Sequence, residues 1–228
     1  IRIGFHAAGY GINDARKLAS SALRYNQISG IAPEVFACPN IDITAQAIEE
    51  MRAAGVDFII VSVHWGYEFE AYPEPKLMAI AREFARRGAD IVCGHHPHQP
   101  HHYETVFFNG HPQGTAFASS VPEAMLTSPD GRPRKSLLIP SLGNFTSTMF
   151  TAICRIGFAQ SISLARNTHT GAVDWNLGGY EWFCNLARHP RTGKRALVTA
   201  AEFEALSVKP RGLLHALNHI RDFMKLEA

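Results

Sequence analysis

Five of the twelve histidines fall within eight residues, in Gly94-His95-His96-Pro97-His98-Gln99-Pro100-His101-His102. Imidazole is the commonest metal-ligand side chain and titrates near neutral pH, so the cluster points to metal binding or proton transfer. His96 and His98 stand at i and i+2 around a stiffening proline. That spacing allows two ligands to one ion, or one ligand to each of two ions. His64 ends the apolar run Phe58-Ile59-Ile60-Val61-Ser62-Val63, and the cluster itself follows a second apolar run, Asp90-Ile91-Val92-Cys93. Three imidazoles, His64, His96 and His98, would suit Zn, Mn, Fe or Ni rather than Mg or Ca. With an open position they would make a catalytic site. The bland alternative is a set of surface or capping histidines.

Other side chains near these runs could assist. Glu68, in Trp65-Gly66-Tyr67-Glu68-Phe69, is the carboxylate nearest the cluster, a candidate acid or base or else a solvated loop residue. His95 is a second candidate for proton transfer. Asn144 follows the apolar run Leu137-Leu138-Ile139-Pro140 and offers an amide to a ligand or substrate oxygen, or simply to a turn. Tyr67, Phe69 and Tyr72 would wall a pocket. One of His95, His101 and His102 would orient a ligand or a substrate group, and the rest would face solvent. His215 and His219, at i and i+4 on a helix, read as surface residues because no third ligand is near them in sequence.

Two runs ending in histidine matter only if their ends meet. Residues 44–54 have helical spacing, with Asp42 or Thr44 as cap and Gly55 as stop. After the run 58–63, a second helix spans about 75–87, with Pro75 in its first turn and Gly88 at its end. The second apolar run follows at once. This βαβ order implies parallel strands and a right-handed crossover. Open α/β sheets place sites at the carboxyl ends of such strands. Gly94 reads as the tight turn after the second strand. The fold class is therefore α/β.

The rest of the chain is less regular. A strand over 1–8 and a helix over 13–24 come first, and Ile1 to His6 reads as the middle of a sheet with chain preceding it. Residues 103–108 are strand-like, with a hairpin-turn signal at Asn109-Gly110, and 111–133 is a long loop. Alternation over 155–165 suits an antiparallel strand, paired with 173–183. Residues 212–226 form an amphipathic helix.

Composition narrows the classes. The chain has 228 residues, 46% of them hydrophobic, enough for a sizeable core. A net charge of +2 and no long Lys/Arg run argue against a nucleic-acid partner. No apolar run approaches the ~18–20 residues of a membrane helix. The four cysteines, Cys38, Cys93, Cys154 and Cys184, form no CxxC pair and leave the compartment undecided.

Three segments together carry a resemblance. Val61-Ser62-Val63-His64-Trp65-Gly66-Tyr67-Glu68, Gly88 to His98, and Ser141-Leu142-Gly143-Asn144-Phe145 are similar, in order and spacing, to the CapA (poly-γ-glutamate capsule biosynthesis) family. That family resembles the calcineurin-like metallophosphoesterases. The resemblance implies a four-layer αββα sandwich and a divalent-metal site at strand ends, holding Mn, Fe or Zn, one ion or two. His64, His96 and His98 match its metal-binding histidines. It also implies a polymer or peptide substrate and a cell-envelope or extracytoplasmic location, with the cytoplasm as the alternative and a membrane synthase complex as one candidate partner. The Asp-bearing strand, Asn-Leu-Glu and Asn-Asn-His segments that open such relatives have no counterpart here. The chain is thus expected to be a single domain over 1–228 that lacks the N-terminal part of the fold. Three readings follow: a metal-dependent hydrolase or transferase, a metal-independent acid/base enzyme such as a peptide epimerase, and a non-catalytic partner of a synthase.

Overall fold

A computed structural model describes the chain apart from residues 12–15, 17, 18, 21, 23, 24, 31–38, 111–126 and 225–228. Most of the helix expected over 13–24 and most of the loop expected over 111–133 lie outside the described residues.

The first half builds a five-stranded sheet. Its strands are β1 (Ile3–Gly9), β2 (Phe58–His64), β3 (Ile91–His95), β4 (Glu104–Phe108) and β5 (Arg134–Ile139), in the order β1-β2-β3-β5-β4. The pairs β1–β2, β2–β3 and β3–β5 are parallel, and β4 runs antiparallel to β5. Helices α1 (Asp42–Ala53) and α2 (Pro75–Arg87) supply the crossovers that parallel neighbours require. Among the described residues β1 ends the sheet rather than lying inside it, and Ile3 and Phe5 are 58% and 65% exposed. Asn109 and Gly110 both have positive φ, as a tight turn needs.

Period-two alternation divides the sheet residues between two cores. Ile59, Val61, Val63, Val92 and Leu138 point one way, against Ile48 of α1 and Leu77, Ala81 and Phe84 of α2. Phe58, Ile91, Leu137 and Ile139 point the other way, into a core shared with the second half of the chain. That half forms an antiparallel sheet of β6 (Ile156–Arg166), β7 (Val173–Leu186) and β8 (Ala196–Thr199). Trp175, Trp182 and Cys184 of this sheet share the core with Leu213, Leu217 and Ile220 of the last helix. The fold is mixed α/β.

Two short helices close the chain, α3 (Ala200–Glu204) and α4 (Arg211–Met224). Helix α3 and strand β8 were not anticipated from sequence, although Thr199-Ala200-Ala201-Glu202 spells a capping box. Thr199 Oγ1 accepts from the Glu202 backbone N–H at 3.2 Å, and the Glu202 carboxylate accepts from the Thr199 N–H at 2.8 Å. Thr199→Ala is expected to lower stability by about 1 kcal/mol, measurable by urea unfolding. An unchanged midpoint would mean that tertiary packing alone holds the helix.

One expectation about α1 needs correcting. Neither Asp42 nor Thr44 caps it, since Asp42 is its first residue and Ile41 precedes it without a side-chain cap. Thr44 is fully buried, and its hydroxyl lies 3.2 Å from His6 Nε2 on β1. A hydroxyl one turn into the helix can reach a neighbouring strand, and here that contact prevails over capping.

The start of β3 is anchored by charge. Asp90 is 7% exposed, pairs with Arg52, and accepts from the Ile59 N–H at 2.7 Å. Burial pushes its carboxyl up, and Arg52 pulls it back. Arg52 also donates to the carbonyls of Val56 and Asp57, both at 3.0 Å, and to that of Gly88. It thereby ties α1 to the starts of β2 and β3.

Candidate metal centre

Parallel pairing brings the two histidine-bearing ends together. His64 and His95 are register partners at the C-terminal ends of β2 and β3. They share strand parity with Ile60 and Ile91, so both project on the side of the second sheet. Beyond β3 the backbone turns sharply. His96 has φ 105° and His98 has φ 62°, a region that L-residues rarely occupy. Such strain costs ~1–3 kcal/mol per residue and persists only where the surroundings over-determine it.

Those surroundings are visible. The Trp65 N–H donates to the His95 carbonyl at 3.0 Å, and the Phe69 N–H to that of Pro97 at 2.9 Å. Gln99 donates its amide to the Phe69 carbonyl, and His101 Nε2 lies 2.9 Å from the Glu70 carbonyl. His101 is thus buried and clamps the loop that carries Glu68, while His102 is exposed. Trp65 is 1% exposed, and its indole donates to the Pro140 carbonyl at 3.1 Å.

Gly94 does not supply a turn. It lies within β3 and is absent from the positive-φ glycines. Its role is room, because a Cβ there would sit 1.8 Å from the Pro140 carbonyl oxygen and 2.3 Å from Trp65 Nε1.

The clamped loop delivers a carboxylate. Donor atoms of Glu68, His96 and His98 all lie within 4.8 Å of one another. The His64 ring packs against that of His96 with centroids 4.6 Å apart. Glu68 therefore joins the triad that sequence reasoning had drawn with His64, and His64 stands at its flank. His95 is half-buried on the same edge.

Hydrogen bonding defines one tautomer. Asn144 Nδ2 donates to the Cys154 carbonyl at 2.7 Å and to Ser147 Oγ at 3.2 Å. A carbonyl can only accept, so the amide orientation is settled and Oδ1 faces His98 Nδ1 at 2.9 Å. That ring nitrogen must then carry a proton, and in the neutral ring Nε2 is the nitrogen that keeps its lone pair. Nε2 stands 3.6 Å from Glu68 Oε1. Two lone-pair-bearing atoms so close favour a shared cation, and this donor set of two imidazoles and a carboxylate fits a divalent transition metal. Asn144 spends its amide on His98 and its own turn.

Tyr10, at the carboxyl end of β1, was missed from sequence. Its hydroxyl lies 3.3 Å from His96 Nε2, and its ring stacks on that of His64 at 5.8 Å. The signal was available, because a strand paired in parallel with β2 ends at the same edge. Phe69 stacks on His98 at 5.8 Å, whereas Tyr67 and Tyr72 line a shallow cleft with Trp65, Leu77 and Pro97. His215 and His219 are exposed on α4.

The ring environments favour neutral imidazole. Burial lowers the pKa of His95, and His64 lowers it further. Burial lowers that of His96, with His64 and His98 adding to it against Glu68. Loss of solvent and His98 lower that of His64, while burial lowers those of His6 and His101. A lowered folded pKa means that the unfolded chain binds more protons, so stability is full above the ordinary value of ~6.5 and falls as pH drops below it. The metal-free protein is expected to melt at lower temperature at pH 5.5 than at pH 7.5. A melting temperature that rose on acidification would contradict these environments.

Known proteins are similar to parts of this chain. The model of the family described as Bacterial capsule synthesis protein PGA_cap matches residues 1–149. The chain is similar to the Capsule biosynthesis protein CapA of Bacillus anthracis, at 38% identity over 50 residues, 22% of this chain and 12% of that protein. It is also similar to the PGA biosynthesis protein CapA of Bacillus subtilis (strain 168), at 32% identity over 108 residues, 40% of this chain and 28% of that protein. The matched stretch is therefore under a third of either relative's length.

Proposed function

This chain belongs to the Bacterial capsule synthesis protein PGA_cap family, and from that premise we propose that it is a metal-dependent hydrolase or transferase of poly-γ-glutamate or cell-envelope polymer metabolism. The observation that carries the enzymatic reading is the convergence of Glu68, His96 and His98 donors within 4.8 Å at the carboxyl end of a parallel sheet. The capsule context rests on the similarity to the two Bacillus capsule proteins.

Glu68, His96 and His98 would hold a Mn, Fe or Zn ion, with His64 beside them for a second ion. A divalent ion there supplies Lewis-acid polarisation of an ester, amide or phosphoryl oxygen. The side chains around it have distinct tasks. Asn144 keeps the His98 Nε2 lone pair turned inward. His95, neutral at physiological pH, is able to accept a proton at the rim. The Tyr10 hydroxyl fixes the His96 ring. Phe69 and Phe145, 49% and 63% exposed on the loops that carry Glu68 and Asn144, offer apolar faces to a polymer or peptide.

The same reading takes residues 1–228 as one domain of the four-layer αββα kind. In support, a single core joins Phe58 and Leu137 of the first sheet to Trp182 of the second and Leu217 of α4. No described helix is long and apolar enough to cross a membrane.

Metal analysis of the purified protein, beside a Glu68→Ala/His98→Ala variant, tests the reading. We expect a stoichiometric ion in the parent and none in the variant, with circular dichroism unchanged. A parent without metal that still processes polymer would transfer the reading to metal-independent acid/base chemistry. A parent with neither property would leave a non-catalytic partner.

A further inference from the structure

Beyond the family match, the side chain of Asn185 reaches the turn that carries Asn144. Asn185, on β7 of the second sheet, is 5% exposed and places its amide against the turn that follows β5. Its Oδ1 accepts from the Ser147 N–H at 3.0 Å. Its Nδ2 donates to the carbonyls of Asn144, at 3.1 Å, and Arg155, at 3.2 Å. The donors and acceptors cannot be exchanged, because the Ser147 N–H only donates and the carbonyls only accept. Arg155 Nε in turn donates to the Asn185 carbonyl at 2.7 Å. One buried amide thus closes both ends of the segment 144–147. Within that segment Ser147 Oγ and the Cys154 carbonyl aim the Asn144 amide, and Asn144 aims His98.

We propose that Asn185 is a positioning residue for the candidate metal centre, holding the 144–147 turn so that Asn144 keeps His98 in its Nδ1–H form with Nε2 facing Glu68. The second sheet is then part of the site and not merely its support. Backbone bonds alone do not achieve this. The Asn144 N–H donates to the Ile156 carbonyl at 3.2 Å, which places the start of the turn, whereas the Ser147 N–H has Asn185 as its partner. The importance for metal binding rests on reading His98 as a ligand, but the effect on the ring does not.

The test uses the full chain and two variants, Asn185→Asp and Asn185→Ala. The aspartate keeps the acceptor for Ser147 and loses both donors. Nitrogen NMR of the His98 ring, in metal-free protein above pH 7.5, reads the tautomer directly. Chelator competition with Zn²⁺ alone reads affinity. We expect a protonated Nδ1 in the parent, a tautomer mixture in both variants, and a ~10–100-fold loss of Zn²⁺ affinity, the range seen when groups behind a ligand are removed. An unchanged tautomer in folded variants overturns the proposal, even if the parent binds Zn²⁺ tightly. A shifted tautomer in a protein that never binds Zn²⁺ keeps the positioning role and removes the metal reading. Should both variants fail to fold, amide exchange in the parent decides. Protection of the Ser147 N–H comparable to that of β7 supports the proposal, and exchange at the rate of an open loop overturns it.

Discussion

His96→Gly is expected to weaken Zn²⁺ or Mn²⁺ binding by at least ~100-fold, while leaving the metal-free fold as stable as before or slightly more so. The two halves of this result have separate causes. Removing a ligand costs at least what removing a group behind a ligand costs, the upper end of which is ~100-fold. The backbone effect has the opposite sign. His96 holds φ 105° ahead of a proline, and glycine adopts that conformation without a Cβ clash. Relief of ~1–3 kcal/mol of strain offsets the ~0.4–1 kcal/mol lost to a freer unfolded chain and the ~0.5–1.5 kcal/mol of the Tyr10 contact. Isothermal titration and urea unfolding on the same sample read both quantities. A variant that lost affinity and stability together would show that His96 supports the fold. One that lost neither would remove it from the metal centre.

Gly94→Ala is expected to destabilise the protein by about 3 kcal/mol or more, at the upper end of overpacking costs. The obstacle is the Pro140 carbonyl oxygen, 1.8 Å from where the Cβ would stand. A flexible side chain could swing aside, but this is backbone. The same oxygen accepts the Trp65 indole bond, and the Leu142 N–H donates to the Gly94 carbonyl at 3.3 Å. Separating β3 from the chain after β5 would break both bonds and shift the Asn144 turn relative to His98. For a chain of this size the change amounts to more than about 6 °C in melting temperature. A drop below about 2 °C would mean that the two segments yield independently of the sheet.

Much of the first half was legible in the sequence. The runs Phe58–Val63 and Asp90–Cys93, each followed by histidine, showed two buried strands, and the helix between them dictated a parallel pair. That order brings the two strand ends to the same edge, and the structure makes His64 and His95 register partners there. Pro75 and Gly88 bounded α2 correctly, because each acts through its own backbone. The α4 helix showed the same clarity through its apolar stripe. Local chemistry was less decisive where a residue had a distant competitor. Thr44 looked like a cap and binds His6, and Gly94 looked like a turn and makes room for Pro140. Asn144 read either as an amide for a ligand or as a turn residue, and its amide bonds His98, Ser147 and Cys154.

The sequence by itself determined which residue types were available and which strand ends carried them. It also determined the mixed α/β class, because hydrophobic period and turn residues act over a few positions. Tertiary structure alone decided that Glu68 turns toward His96 and His98, that Tyr10 reaches His96, and that Asn185 braces the Asn144 turn from a strand forty-one residues away. These contacts depend on loop conformation and on how two sheets pack. Both arise from the sum of many weak interactions across the chain, and no local pattern encodes that sum.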